Sequence, residues 1–153
     1  MATYVIGDVH GCVQELEKLV EKIAPKQTDA LWFVGDLVGK GAHEWEVLTL
    51  VQGLANAKVI LGNHDLHFLA ERLSSKPTQA VTSGQRAVLE FICQQHLALW
   101  HEKTDSLCVH AGIDRSWSVP QTLQYAREIE SLLQGSKTRQ NLFNTMYSNT
   151  ANQ

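Results

Sequence analysis

Asp8 and His10 stand two residues apart in Gly7-Asp8-Val9-His10-Gly11, directly after the apolar run Tyr4-Val5-Ile6. A carboxylate and an imidazole at that spacing, with glycine on both sides so that backbone and a bound group can come close, outline a metal site at a strand end. Gly35-Asp36, Gly62-Asn63-His64-Asp65 and His110-Ala111-Gly112 repeat the arrangement after three further apolar runs. Four strand ends of this kind can converge on one pocket.

Hard or borderline divalent cations are best served by carboxylate, imidazole and amide oxygen. Asp8, His10, Asp36, Asn63 and His110 offer these groups, and five ligands suggest more than one ion, with Asp36 as the bridge. Two ions ~3.5 to 4 Å apart clamp a phosphoryl group, activate a water and stabilise both entering and leaving oxygens. His64 follows Asn63 immediately, and its free imidazole can protonate a leaving oxygen near neutral pH. Lys40 lies four residues after Asp36 between two glycines and reads equally well as a phosphate contact or as a solvated lysine.

A lone Asp-x-His at a strand end is more often a cap or a turn, so the weight rests on the ordered recurrence of four such motifs after apolar runs. His43, His67, His96 and His101 have no ligand spacing and read as surface or helix-face histidines. Trp32 and Trp100 read as core. Trp45 and Trp117 can stack on a nucleobase, but core or partly exposed packing is the preferred reading.

The elements that must position these groups follow from periodicity. Val13, Leu16, Leu19, Val20 and Ile23 recur at helical spacing opposite Glu15, Glu17, Lys18, Glu21 and Lys22, which predicts an amphipathic helix ending before Pro25. Ala30 to Val34 is apolar throughout, as a strand covered on both faces must be. A helix is predicted over about residues 43 to 55, a third strand over Lys58 to Leu61, and broken helix from Leu66 to Leu97. Two short strands, Leu97 to Trp100 and Leu107 to Val109, flank a polar turn, and helices are predicted from Pro120 through Leu133 and from Lys137 to about Tyr147. Strands alternating with helices imply βαβ units and a largely parallel sheet.

The 153 residues fit one domain, and 44% apolar with 19% charged residues is an ordinary globular composition. A net charge of −3 gives no basic surface for a nucleic-acid backbone. Cys12, Cys93 and Cys108 are widely spaced and lack CxxC pairing, which fits a reducing compartment better than a zinc finger or disulfide framework. No apolar run approaches the ~20 residues of a membrane-spanning helix, and no leader-like stretch opens the chain, so the expected location is cytoplasmic, with no membrane partner. The sequence leaves the oligomeric state open.

The ordered set GDVHG, GDLVGKG, GNHD and HAG resembles the calcineurin-like metallophosphoesterases of the phosphoprotein phosphatase type. Within that family, MATYVIGDVHGCVQELEKLV, GDLVGKG and LGNHDLHFLA look most like the members that hydrolyse diadenosine tetraphosphate. The resemblance covers residues 1–147, leaving 148–153 as a polar tail, and implies an α/β fold: the family's α-β-β-α sandwich, incomplete on its C-terminal side. It implies symmetrical cleavage of a dinucleoside polyphosphate to two ADP by in-line attack of a metal-bound hydroxide, with two divalent ions, manganese or cobalt. Carried over by position, Asp8, His10 and Asp36 hold the first ion, Asp36, Asn63 and His110 hold the second, and His64 is the general acid.

This sequence departs from the family pattern in three places. Gly39 stands where phosphatases carry an aspartate that orients the histidine equivalent to His64; members that hydrolyse diadenosine tetraphosphate tend to lack it, so Gly39 favours them over serine/threonine protein phosphatases. Lys40 replaces a phosphate-gripping arginine, keeping the charge without the bidentate fork. Relatives also continue with a second half that supplies a Gly-His motif, whose histidine is a further ligand of the second ion; no Gly-His pair follows His110 here. A weaker second metal site and an exposed sheet edge are the expected consequences. A chain that binds metal or nucleotide without catalysis is the competing expectation.

Overall fold

The computed structural model describes residues 1–147; the predicted polar tail lies outside them. β1 (Thr3–Ile6), β2 (Ala30–Phe33) and β3 (Ala57–Val59) form a parallel sheet in that order, and β4 (Ala98–His101) pairs antiparallel with β5 (Ser106–Val109). The helices are α1 (Val13–Ile23), α2 (Glu44–Gly53), α3 (Asn63–Leu73), α4 (Ser83–Cys93), α5 (Val119–Gln134) and α6 (Ser136–Thr145). None of the helices among the described residues is long and apolar enough to cross a membrane.

Alternation along the strands divides the parallel sheet into two faces. Ile6, Leu31, Phe33 and Val59 face the helices and join Leu16, Val47, Leu48, Val51, Phe68, Leu69, Leu89 and Ile92 in the main core. On the other face, Val5, Trp32 and Lys58 lie side by side in register. There the β4–β5 hairpin packs across the sheet, with His101 edge-on to the Trp32 ring at 5.1 Å and its Nε2 3.1 Å from Thr3 Oγ1. β2 is therefore buried on both faces, as its unbroken apolar run predicts. β1 lies at the edge, where Val5 is 60% exposed.

Two expectations need correction. The third strand ends at Val59, and Ile60 only bridges to His96; Asn63, His64 and Asp65 then form the first turn of α3 and do not belong to a strand-end loop. Gly62 is the reason, because as N-cap it donates its N–H to the Asp65 carboxylate three residues on and closes that first turn at once. Trp100 is only partly buried: it sits in a two-stranded hairpin and lines an open groove with Trp32 and His101.

Buried polar groups fasten the remaining elements. Glu130 of α5 accepts the Leu97 N–H at 2.7 Å, and Gln95 accepts the Val59 N–H at 3.2 Å. Arg139 of α6 is 3% exposed, and its guanidinium makes a bidentate pair with Glu90 of α4 at 2.9 and 2.8 Å. These contacts tie α5 to the start of the hairpin, the segment before β4 to β3, and α6 to α4.

Candidate metal centre

Three chain segments meet where β1, β2 and β5 end. The β1 and β2 loops are laced by backbone: the N–H groups of Val9 and His10 both donate to the Asp36 carbonyl, at 3.0 and 2.9 Å, and Gly11 N–H donates to the Leu37 carbonyl at 2.8 Å. This lacing demands unusual backbone, with His10 at φ 50° and Asp36 at φ 51°. Non-glycine residues in the left-handed region cost conformational energy and persist where surrounding contacts over-determine them. The strain falls on two of the predicted ligands.

The side chains then converge. Asp8, Asp36 and His110 each offer a ligand atom, all within 4.8 Å of one another. His110 Nε2 lies 3.5 Å from the Asp36 carboxylate, and His10 Nε2 lies 3.4 Å from Asp8 and 3.9 Å from Asp36. Both imidazoles are anchored from behind: His10 Nδ1 is 3.0 Å from the Val38 carbonyl and His110 Nδ1 is 2.6 Å from the Val34 carbonyl. A carbonyl can only accept, so each ring carries a proton on Nδ1 and in its neutral form presents the Nε2 lone pair to the side of the carboxylates. That is how histidine is prepared to ligate a cation. Two carboxylates and two such imidazoles in this space fit a divalent metal centre.

Other predicted residues sit around this group. Asn63 is exposed at the start of α3 and lines the same cleft as His110. His64 donates its backbone N–H to Asp36 Oδ1 at 3.1 Å, and its ring stands edge-to-face with His10 at 5.1 Å. Its ring nitrogens have no hydrogen-bond partner among the described residues, and Gly39 sits close beside the ring. A Cβ at position 39 would collide with His64 Nδ1, and φ at Gly39 is 120°, so an aspartate there requires a different ring position and backbone. Lys40 is exposed, with no partner among the described residues.

Asp65 organises the site and was not singled out by its sequence. It is 2% exposed and accepts three backbone N–H groups, from Leu37 at 2.8 Å, Val38 at 3.3 Å and Gly62 at 2.9 Å. Burial pushes its carboxyl up to about 6, against the pull of those amides, with the charge of Asp36 adding to the rise. Its signal is an acid at the third position of a helix, a capping position. The Val34 and Val38 carbonyls leave no such trace, because any residue supplies a carbonyl.

Gly62 shows how tightly the centre is built. At φ −94° its backbone suits any residue, yet a Cβ would run into the Asp36 carboxylate and backbone N–H. Gly62→Ala is therefore expected to displace the Asp36 side chain and weaken manganese binding by ~10- to 100-fold, the usual effect of disturbing what supports a ligand. Isothermal titration of both proteins with manganese checks this; equal affinities contradict the placement of Asp36.

The calcineurin-like phosphoesterase family model matches residues 1–150. The chain is 40% identical to the symmetrical bis(5'-nucleosyl)-tetraphosphatase of Psychromonas ingrahamii over 97% of its own length and 57% of that enzyme. With the enzyme of the same name from Actinobacillus pleuropneumoniae it shares 44% identity over 88% of its length and 53% of that protein's. It thus spans a little over half the length of these curated relatives. A crystal structure provisionally described as a diadenosine tetraphosphatase superposes with a TM-score of 0.64 at 30% identity, covering 78% of this chain and 54% of that one.

Proposed function

Because this chain belongs to the calcineurin-like phosphoesterases, a family that works through divalent metal ions, we propose that it hydrolyses diadenosine 5',5'''-P1,P4-tetraphosphate symmetrically to two ADP. One observation carries the reading: carboxylates of Asp8 and Asp36 and the Nε2 of His110 meet within 4.8 Å, with both site imidazoles tied back through Nδ1. Asp8, His10 and Asp36 would hold one ion and Asp36, Asn63 and His110 the other, with manganese or cobalt as the metals and the cytoplasm as the setting. When bound, such ions supply Lewis-acid polarisation of phosphoryl oxygens and a water of lowered pKa.

This chain's own residues supply the rest. Symmetrical cleavage adds water across the central P–O–P bridge: one oxygen–phosphorus bond forms, another breaks, and the departing ADP oxygen takes a proton. His64 would give that proton, a role supported by its backbone N–H bond to Asp36 and by its ring standing against His10. Lys40, exposed on the segment after β2 that also carries Asp36 and Gly39, can meet the phosphate chain with a point charge. The contact of Gly39 with His64 supports a dinucleotide substrate over a phosphoprotein, because it fills the space that the phosphatase aspartate would need.

Incubation of the chain with manganese and diadenosine tetraphosphate, followed by ion-exchange chromatography, tests the reading. Two ADP are expected. AMP plus ATP contradicts symmetrical cleavage, faster turnover of a phosphopeptide reverses the substrate assignment, and absence of any product leaves a binding domain without catalysis.

A further inference from the structure

The centre opens into a cleft whose far wall has no part in the chemistry described above. This cavity of about 390 Å³ is lined by Asn63 and His110 and also by Ile113, Trp117 and Tyr125. Among the described residues no Asp, Glu, Lys or Arg lines it. Trp117 and Tyr125 stand edge-to-face, 4.9 Å between centroids, and remain 42% and 39% exposed. Partly exposed packing, one of the arrangements the sequence favours for Trp117, is what the structure has: the ring packs on Tyr125 and stays partly open. An edge-to-face pair uses the edge of one ring against the face of the other and leaves aromatic surface free to stack.

The aromatic platform is held at a fixed reach from the metal centre. Only six residues separate His110 from Trp117, and the segment is braced at both ends of its turn. Trp117 N–H donates to the Asp114 carbonyl at 3.1 Å, the Asp114 carboxylate accepts from Ser116 N–H and Oγ at 2.8 and 2.6 Å, and Ser118 caps α5 through Gln121. A ligand with its phosphates at His110 would therefore bring whatever they carry into an uncharged, aromatic-walled cleft.

We propose that this cleft is a nucleobase subsite in which one adenine of the dinucleotide stacks on Trp117, with Tyr125 and Ile113 as its sides. The proposal rests on the substrate reading above and adds the residue that grips the nucleoside. Stacking uses the π-face common to every base, so the subsite binds purine dinucleotides with little regard to hydrogen-bonding pattern.

Kinetics and a binding measurement test it together. Trp117→Leu is expected to raise KM for diadenosine tetraphosphate on the order of tenfold with kcat unchanged, and Trp117→Phe to recover most of the loss. Inhibition by inorganic tetraphosphate, which has no base, stays the same. Independently of turnover, ADP quenches tryptophan fluorescence in the unmodified protein and not in Trp117→Leu. An unchanged KM, an equal loss of tetraphosphate inhibition, or ADP quenching that persists without Trp117 overturns the subsite. If the chain fails to cleave the dinucleotide while Trp117-dependent quenching is present, the substrate reading falls and the subsite stands; intact cleavage with an indifferent Trp117→Leu gives the reverse.

Discussion

Asp36→Asn is expected to abolish hydrolysis while leaving the fold intact. Asp36 is the group on which the others converge, lying 3.5 Å from His110 Nε2 and 3.9 Å from His10 Nε2 while its Oδ1 receives the His64 N–H. Asparagine keeps an oxygen for the His64 N–H, so the local backbone retains its bond. It removes the charge that two cations would share, and the loss should exceed the ~10- to 100-fold typical of disturbing a ligand's support. Loss of that charge also relieves the repulsion that helps raise Asp65, so metal-free stability should hold steady or rise. Steady-state turnover and a urea melt on the same preparation separate the two effects. A variant that turns over normally removes Asp36 from the centre, and one that unfolds makes it structural.

Asp65→Ala should do the opposite and damage the fold first. The buried carboxylate is the shared acceptor for the amides of Leu37, Val38 and Gly62, so it joins the β2 loop to the start of α3. Alanine leaves those donors facing a small void. A buried donor left without an acceptor costs about 1–3 kcal/mol. Even with partial relaxation the total should be on the order of 3 kcal/mol or more, a large share of the roughly 5–15 kcal/mol that holds a domain together. The urea midpoint should fall with the slope unchanged. Asp65→Asn, retaining one acceptor oxygen but pointing an amide NH2 at another donor, should fall between the two. A midpoint within error of the unmodified protein for Asp65→Ala would show that water takes over the three amides.

These two aspartates mark the boundary of what the sequence makes legible. Asp36 was readable because it follows a fully apolar strand and a glycine and recurs in a pattern with Asp8-x-His10, Asn63-His64 and His110. Types and spacing carry that information. The helices were legible for the same reason, and α1 occupies the span its periodicity predicts, ending before Pro25. Asp65 was in view as the last letter of its motif, but its work is to accept backbone amides from a loop 28 residues away, and such a pairing has no period to read. The tautomers of His10 and His110 depend on the Val38 and Val34 carbonyls, which are invisible in side-chain identity. The two tryptophans expected in the core diverge because exposure is decided by neighbours: Trp32 lies under a hairpin, whereas Trp100, on that hairpin, remains partly open.

The fit of the chain to a two-ion centre can be measured on the metal itself. Two manganese ions bridged by one carboxylate sit ~3.5–4 Å apart. At that separation their electron spins couple. The manganese-saturated chain is predicted to give the multiline electron paramagnetic resonance spectrum of an exchange-coupled pair, and Asp36→Asn to lose it. A spectrum of isolated manganese alone, at saturation, would contradict an Asp36-bridged pair and with it the assignment of Asp8, His10, Asn63 and His110 to two ions.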